Sequence, residues 1–442
     1  MARKLFGTDG VRGVAGELLT AELALALGRA ATVQAGAQHP RVLVVRDTRE
    51  SGEMLEAALA AGITAAGGDA LLGGILPTPA APLLLGRYGL DLAAVISASH
   101  NPYADNGIKF FGADGFKLSD ATELRIEQRL HERRALPGRL GRVHRLHGTQ
   151  EDYLRGLHTR FSRLDLSGLD VLLDCANGAT HRVAPEIFRR LGAAVTVLAD
   201  QPDGRNINDG CGSTHVDALA PTVVEGGHDV GFAFDGDGDR VLAVDRAGVV
   251  VDGDELIALA ALHLRSHDQL PGKGVAVTVM TNYGFHTAMH DAGIAVATTK
   301  VGDRYVLEEL RARGWALGGE QSGHVIDMGF VPSGDGIASA LLTLEALGGG
   351  DLADRHAMEK LPQRLVNVRV ADPDGAMDSP ELAAATEEAS RALAGRGRVL
   401  IRASGTEPLV RVMVEAPTAQ EADDVCARLV ATVEATAGTP TA

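Results

Sequence analysis

The stretch Leu92-Ala93-Ala94-Val95-Ile96-Ser97-Ala98-Ser99-His100-Asn101-Pro102 decides how the first part of the chain is read. Its first five residues are apolar without alternation, which marks a strand buried on both faces. At Ser97 the run gives way to residues that suit a loop. Upstream, Arg41-Val42-Leu43-Val44-Val45 has the same character, and a helical stretch from Ser51 to about Ala66 separates the two runs. Buried strands alternating with helices predict a parallel sheet covered on both faces. Such sheets gather their ligands at the carboxyl ends of the strands, which is where residues 97–102 fall.

The plan restarts twice. Leu169 to Asp174 reads as a strand, Ala184 to Leu191 as a helix and Ala194 to Leu198 as a strand. After Asp254 come a helix from Glu255 to Leu264 and strands at Val275–Val279 and Ile294–Ala297. The last segment differs: a strand from Leu365 to Val370, a helix from Glu381 to Leu393, strands at Arg398–Arg402 and Leu409–Val414, and a helix from about Ala419 to Thr436. The expected fold class is α/β, with three similar mixed α/β domains and a smaller C-terminal α+β domain around a central cleft. The boundaries expected are 1–152, 153–252, 253–362 and 363–442.

With 442 residues the chain is too long for one ordinary core. No apolar run approaches the roughly 18 residues of a membrane helix, and Met1 to Gly7 lacks the apolar core of a secretory signal. A cytoplasmic protein is expected. The net charge of -16 argues against nucleic acid or an anionic membrane as partner, since both demand excess basic surface. Cys175, Cys211 and Cys426 are widely spaced and are assigned no role.

Four loops carry chemistry. In residues 97–102, a serine at a strand exit can accept a phosphoryl group if cations surround it, although Ser, Asn and Pro also build ordinary turns. Asp235-Gly236-Asp237-Gly238-Asp239-Arg240 lies between apolar strands at Val230–Phe234 and Val241–Val244. Three carboxylates so close repel one another unless a cation offsets them. A calcium EF-hand would place glycine sixth and glutamate twelfth; Arg240 and Arg246 stand there instead, and a magnesium-type site is expected. The third loop, Gly318-Gly319-Glu320-Gln321-Ser322-Gly323-His324, offers Glu320 and Ser322 for sugar hydroxyls and His324 for a proton. The fourth, Arg402-Ala403-Ser404-Gly405-Thr406-Glu407-Pro408 with Arg411 beyond, offers successive amides, hydroxyls and two arginines to a phosphate dianion.

The order Ser-Ala-Ser-His-Asn-Pro, Asp-Gly-Asp-Gly-Asp-Arg, Gly-Glu-Gln-Ser-Gly-His, Arg-x-Ser-Gly-Thr-Glu-Pro resembles the α-D-phosphohexomutases over nearly the whole chain. Leu5 to Gly13, Gln321 and Val301-Gly302-Asp303-Arg304-Tyr305 point to the amino-sugar branch of that family. The resemblance implies that Ser99, before His100, carries the phosphate, and that Ser97 does not; periodicity alone leaves the two serines equivalent. It implies a metal site of Ser99, Asp235, Asp237 and Asp239 holding Mg²⁺. Arg12, Lys109 and Arg240 would surround the transferring group, with Lys109 and His324 as candidates for proton transfer. Glu320 and Ser322 would meet the sugar, and Arg402, Ser404, Gly405, Thr406 and Arg411 the idle phosphate. The implied partner is a small phosphosugar: glucosamine-6-phosphate exchanged with glucosamine-1-phosphate through the 1,6-bisphosphate, towards UDP-N-acetylglucosamine. A phosphomannomutase or phosphoglucomutase is the alternative. A homodimer is the candidate assembly.

Overall fold

The computed structural model describes residues 5–7, 9–130, 139–404 and 408–437. They form two compact units, Met1–Met280 with Ile294–Arg355, and Thr281–Gly293 with His356–Ala442.

In the first unit, one sheet has the strand order Val11–Val14, Asp105–Gly112, Leu92–Ile96, Arg41–Arg46, Asp69–Ile75, Val143–Arg145. Val42 to Val45 are fully buried. Val42 and Val44 join the core built with Leu55, Leu59 and Ile63 of the helix Gly52–Ala65. Each such side chain contributes roughly 1.5–3 kcal/mol of burial, which explains the unbroken apolar runs. The sheet is mixed, which corrects the expectation of parallel strands. Leu92–Ile96 runs parallel to Arg41–Arg46 but antiparallel to Asp105–Gly112. The last strand opens on the polar Asp105-Asn106-Gly107, which hid it from an apolar-run reading.

A second sheet is ordered Val250–Val251, Val241–Asp245, Val230–Phe234, Asp170–Asp174, Ala194–Leu198. Here Val230–Phe234 and Val241–Asp245 pair as an antiparallel hairpin. A third has the order Ala295–Thr299, Gly274–Thr278, Leu317–Gly319, Val325–Asp327. No helix among the described residues is long and apolar enough to cross a membrane.

The second unit is built on an antiparallel sheet, Gln363–Arg369, Leu409–Glu415, Arg398–Ala403, covered by the helices Pro380–Ala392 and Ala419–Ala437. Its core includes Val368, Leu393, Val410, Val412 and Leu429.

Candidate active site

Two neighbouring parallel strands of the first sheet end side by side, at Arg46 and at Ile96. Each feeds a loop, and the first loop clamps the second. Arg49 is fully buried. Its guanidinium donates to the carbonyls of Ser99 (2.9 Å), Asn101 (2.8 Å) and Asp105 (3.0 Å), and to Asp47 Oδ2 (2.9 Å). Asn208 Nδ2 adds a second donor to the Ser99 carbonyl, at 2.9 Å. So held, Ser99 keeps a left-handed backbone with φ of 54°, which a residue with a Cβ adopts only when its surroundings impose it. Ser97 Oγ donates to Asp47 Oδ2 (2.6 Å) and accepts from Ser99 N (2.9 Å), which makes it a brace for its neighbour.

Asp47 and Arg49 carry the geometry of the serine loop, yet no motif announced them. The strand-exit rule that singled out Ser99 applies equally to residues 47–49. Arg49→Met should leave the buried Asp47 carboxylate without its counter-charge, held only by Ser97 Oγ and the amide of residue 49. Breaking such a buried pair costs about 3–5 kcal/mol, to be seen as an earlier denaturation midpoint together with lost activity.

Ser99 Oγ donates to Asp235 Oδ2 at 2.5 Å, so the serine loop and the aspartate loop meet. Asp235, Asp237 and Asp239 are all buried, and one oxygen from each lies within 4.8 Å of the others. Gly236 is required where this loop passes the serine: a Cβ there would lie 2.6 Å from the Ser99 carbonyl oxygen. Gly238 turns the loop back at φ of 68°. Oδ1 of Asp237 is buried without a hydrogen-bond partner, which costs free energy unless a cation takes it, and Oδ1 of Asp239 has no hydrogen bond, only the ion-pair neighbours His324 (3.5 Å) and Arg240 (4.0 Å). Burial pushes the Asp235 carboxyl well up, and the Asp239 and Asp237 carboxylates push it further. These residues therefore fit a metal ion bound by oxygen.

Cations crowd round the triad. Lys109, a buried lysine on the strand Asp105–Gly112, places Nζ 2.7 Å from Asp237 Oδ2, 3.6 Å from Asp239 Oδ2 and 3.8 Å from Asp9 Oδ2. Burial opposes its charge, but Asp237, Asp9 and Asp239 outweigh burial and raise its pKa. His324 Nδ1 lies 3.5 Å from Asp239 Oδ1 and Nε2 3.5 Å from Asp303 Oδ2. Burial lowers its basicity, yet the two carboxylates leave it raised. His100 moves the other way: burial, then Arg240 and Arg12, hold its pKa low, with Nδ1 3.4 Å from Ser99 Oγ. Arg12 pairs with Asp9 and reaches the Ala98 carbonyl at 3.4 Å. Arg240 Nε is buried without a hydrogen-bond partner.

A cavity of about 420 Å³ opens onto Ser99, His100, Arg12, Arg240, Glu320 and His324. Glu320 accepts from Gly302 N at 2.9 Å. Ser322 is exposed and is not brought to this wall. Gln321 is directed elsewhere: its amide donates to Asp252 Oδ2 (3.2 Å), the capping residue of the helix Gly253–Ser266. Asp9 and Asp303 also line this cavity, and their local sequence gives no sign of it.

In the second unit, Arg402 and Arg411 are cross-strand partners. Like charges directly opposite are unfavourable unless an anion is shared. Burial, then Arg411, lowers the pKa of Arg402. Ser404 N donates to Leu409 O at 2.9 Å. Gly405 and Thr406 lie outside the described residues.

Models of four domains of the phosphoglucomutase/phosphomannomutase family match the chain. Alpha/beta/alpha domain I matches residues 3–136, domain II 151–248, domain III 252–365 and the C-terminal domain 365–432. The chain belongs to this family. As a phosphohexomutase it is an isomerase acting on a small phosphosugar. Phosphoglucosamine mutase of Moorella thermoacetica is 53% identical over 436 residues, spanning 96% of this chain and 98% of that protein. Phosphoglucosamine mutase of Mycolicibacterium paratuberculosis is 50% identical over 441 residues, spanning 98% and 99%. A phosphohexomutase fold is also seen in a phosphoglucomutase/phosphomannomutase family protein of Burkholderia thailandensis, with a TM-score of 0.83 at 24% identity over all of both chains. N-acetylphosphoglucosamine mutase of Aspergillus fumigatus, solved with GlcNAc-6P and magnesium, has a TM-score of 0.71 at 19% identity, covering 98% of this chain and 96% of that one.

Proposed function

We propose that this phosphohexomutase interconverts glucosamine-6-phosphate and glucosamine-1-phosphate, with Ser99 as phosphoryl carrier and Mg²⁺ on Asp235, Asp237 and Asp239. The contact that carries the mechanism is Ser99 Oγ on Asp235, which joins the carrier to the carboxylates. The sugar rests on end-to-end identity of about half with bacterial proteins named phosphoglucosamine mutase.

Phosphoryl transfer demands alignment and charge neutralisation more than covalent chemistry from the protein. A bound Mg²⁺ would supply Lewis-acid stabilisation of charge on the transferring group. The strained Ser99 backbone, fixed by Arg49 and Asn208, aims Oγ along one line. Phosphorylated Ser99 gives its phosphoryl group to the free hydroxyl of the sugar monophosphate. The bisphosphate then reorients and returns its other phosphate to Ser99. Arg12 and Arg240 present guanidinium groups to the phosphate in flight. Lys109 and His324, whose pKa values their carboxylate neighbours raise, help balance the anion, and they are the two candidates for proton transfer to and from the sugar hydroxyl. Glu320 is proposed to meet the sugar ring from the cavity wall; Ser322, its proposed companion, is exposed and lies off that wall in this structure. Arg402, Ser404, Gly405, Thr406 and Arg411 form the proposed phosphate clamp of the second unit. A cytoplasmic setting without nucleic-acid partners, and a homodimer, complete the reading.

A coupled assay with glucosamine-6-phosphate beside glucose-6-phosphate and mannose-6-phosphate tests it. The specificity constant should be highest for the amino sugar. Equal turnover of mannose-6-phosphate would replace the sugar assignment with the phosphomannomutase reading and leave the mechanism standing.

A further inference from the structure

The hairpin after the strand Asp105–Gly112 places a lysine that the reaction, as described, does not use. Gly112 N donates to Phe116 O (2.9 Å) and Leu118 N to Phe110 O (3.1 Å), so Lys117 is bridged opposite Phe111. The tip rests on the helix Asp303–Arg313: the Arg311 guanidinium lies 4.4 Å from the Phe116 ring centre and 3.5 Å from Asp114. Held at this crossing, Lys117 is 8% exposed, with Nζ 2.5 Å from Asp9 Oδ1 and 2.5 Å from Asp303 Oδ2. Asp9 and Asp303 line the cavity, and Lys117 stands behind them.

Carboxylates outnumber guanidinium groups on that wall. Among the described residues, carboxylates from Asp9, Asp120, Asp239, Asp303 and Glu320 line the cavity, against guanidinium groups from Arg12, Arg240 and Arg304 and the imidazoles of His100 and His324. A phosphosugar is an anion, and buried like charges repel strongly over several ångströms. Asp9 also engages Arg12 and lies 3.8 Å from Lys109, while Asp303 lies 3.5 Å from His324. If Lys117 lost its charge, Asp9 and Asp303 would draw on those same cations and leave less positive charge for a phosphate.

We propose that Lys117 is a positioning residue whose charge neutralises and fixes Asp9 and Asp303, so that an acid-rich cavity admits an anionic phosphosugar. This rests on the phosphosugar reading of the site, not on the choice of sugar. Lys117→Gln keeps an amide donor and removes the charge; Lys117→Arg keeps the charge. Affinity is read by calorimetry with glucosamine-6-phosphate in a Ser99→Ala background, and KM and kcat in the Ser99 enzyme. Lys117→Gln should raise both the Kd and KM about tenfold, and kcat should fall by less than KM rises, because Arg12, Lys109 and His324 also serve the transfer. Lys117→Arg should remain near the parent enzyme. If Lys117→Gln fails to fold, Lys117→Gln/Asp303→Asn, which removes one charge of each sign and keeps the local charge, takes its place and should bind within about threefold of the parent; binding about tenfold weaker in that double variant overturns the proposal. An unchanged Kd, a loss confined to kcat, or an arginine variant as weak as the glutamine one overturns the proposal. An error in the sugar assignment appears separately, in the parent enzyme's own preference among sugar phosphates, and the comparison is then run on the preferred one.

Discussion

Ser99→Ala is expected to lower turnover by roughly 10⁴-fold or more, as loss of a covalent nucleophile does elsewhere. Ser97→Ala should keep substantial activity. The two serines stand two residues apart in one loop, but their surroundings differ. Ser97 Oγ faces Asp47 and the Ser99 amide, which is bracing. Ser99 Oγ faces Asp235 and the cavity, which is chemistry. Because the Ser99 backbone is held through its carbonyl by Arg49 and Asn208, alanine keeps the loop in place. The variant should therefore unfold at the parent's midpoint. A phosphate found on Ser97, or a Ser97→Ala enzyme as dead as Ser99→Ala, would overturn the assignment.

Asp237→Asn is expected to cost on the order of a hundredfold or more in kcat, by analogy with the loss of one preorganised electrostatic group. Two effects combine at this position. One carboxylate leaves the triad, and Lys109 loses its nearest anion, at 2.7 Å. Calorimetry with Mg²⁺ separates them, because the first weakens metal binding by the folded protein whether or not it turns over. Excess chelator should abolish the parent's activity and Mg²⁺ restore it. Full activity under chelation would refute a metal-dependent mechanism.

Much of this was legible in the chain. Continuous apolar runs mark the buried strands, and charge repulsion within Asp235 to Asp239 points to a cation from the sequence alone. The missing parts share a cause. Strand pairing direction is set by hairpins, and the strand Asp105–Gly112 opens on polar residues, so an apolar-run reading passes over it and the mixed sheet reads as parallel. Arg49, Lys117, Asp9 and Asp303 act through partners far away in sequence, and nothing in their local spacing reports those partners. Gln321 shows the converse. It sits inside a recognisable loop, but its amide caps a contact with Asp252.

Phosphoryl transfer from isolated phosphoenzyme is the most direct measurement of the central claim. Enzyme carrying phosphate mapped to Ser99 is mixed with glucosamine-6-phosphate and Mg²⁺ and followed through a single turnover. The account predicts that the phosphate first carried by Ser99, followed by an isotopic label, passes to glucosamine-1,6-bisphosphate and then to glucosamine-1-phosphate, while Ser99 is rephosphorylated without label. With the Ser99 phosphate isotopically labelled, glucosamine-1-phosphate formed while the label stays on Ser99 would contradict it, because the phosphate returned to Ser99 is the sugar's own.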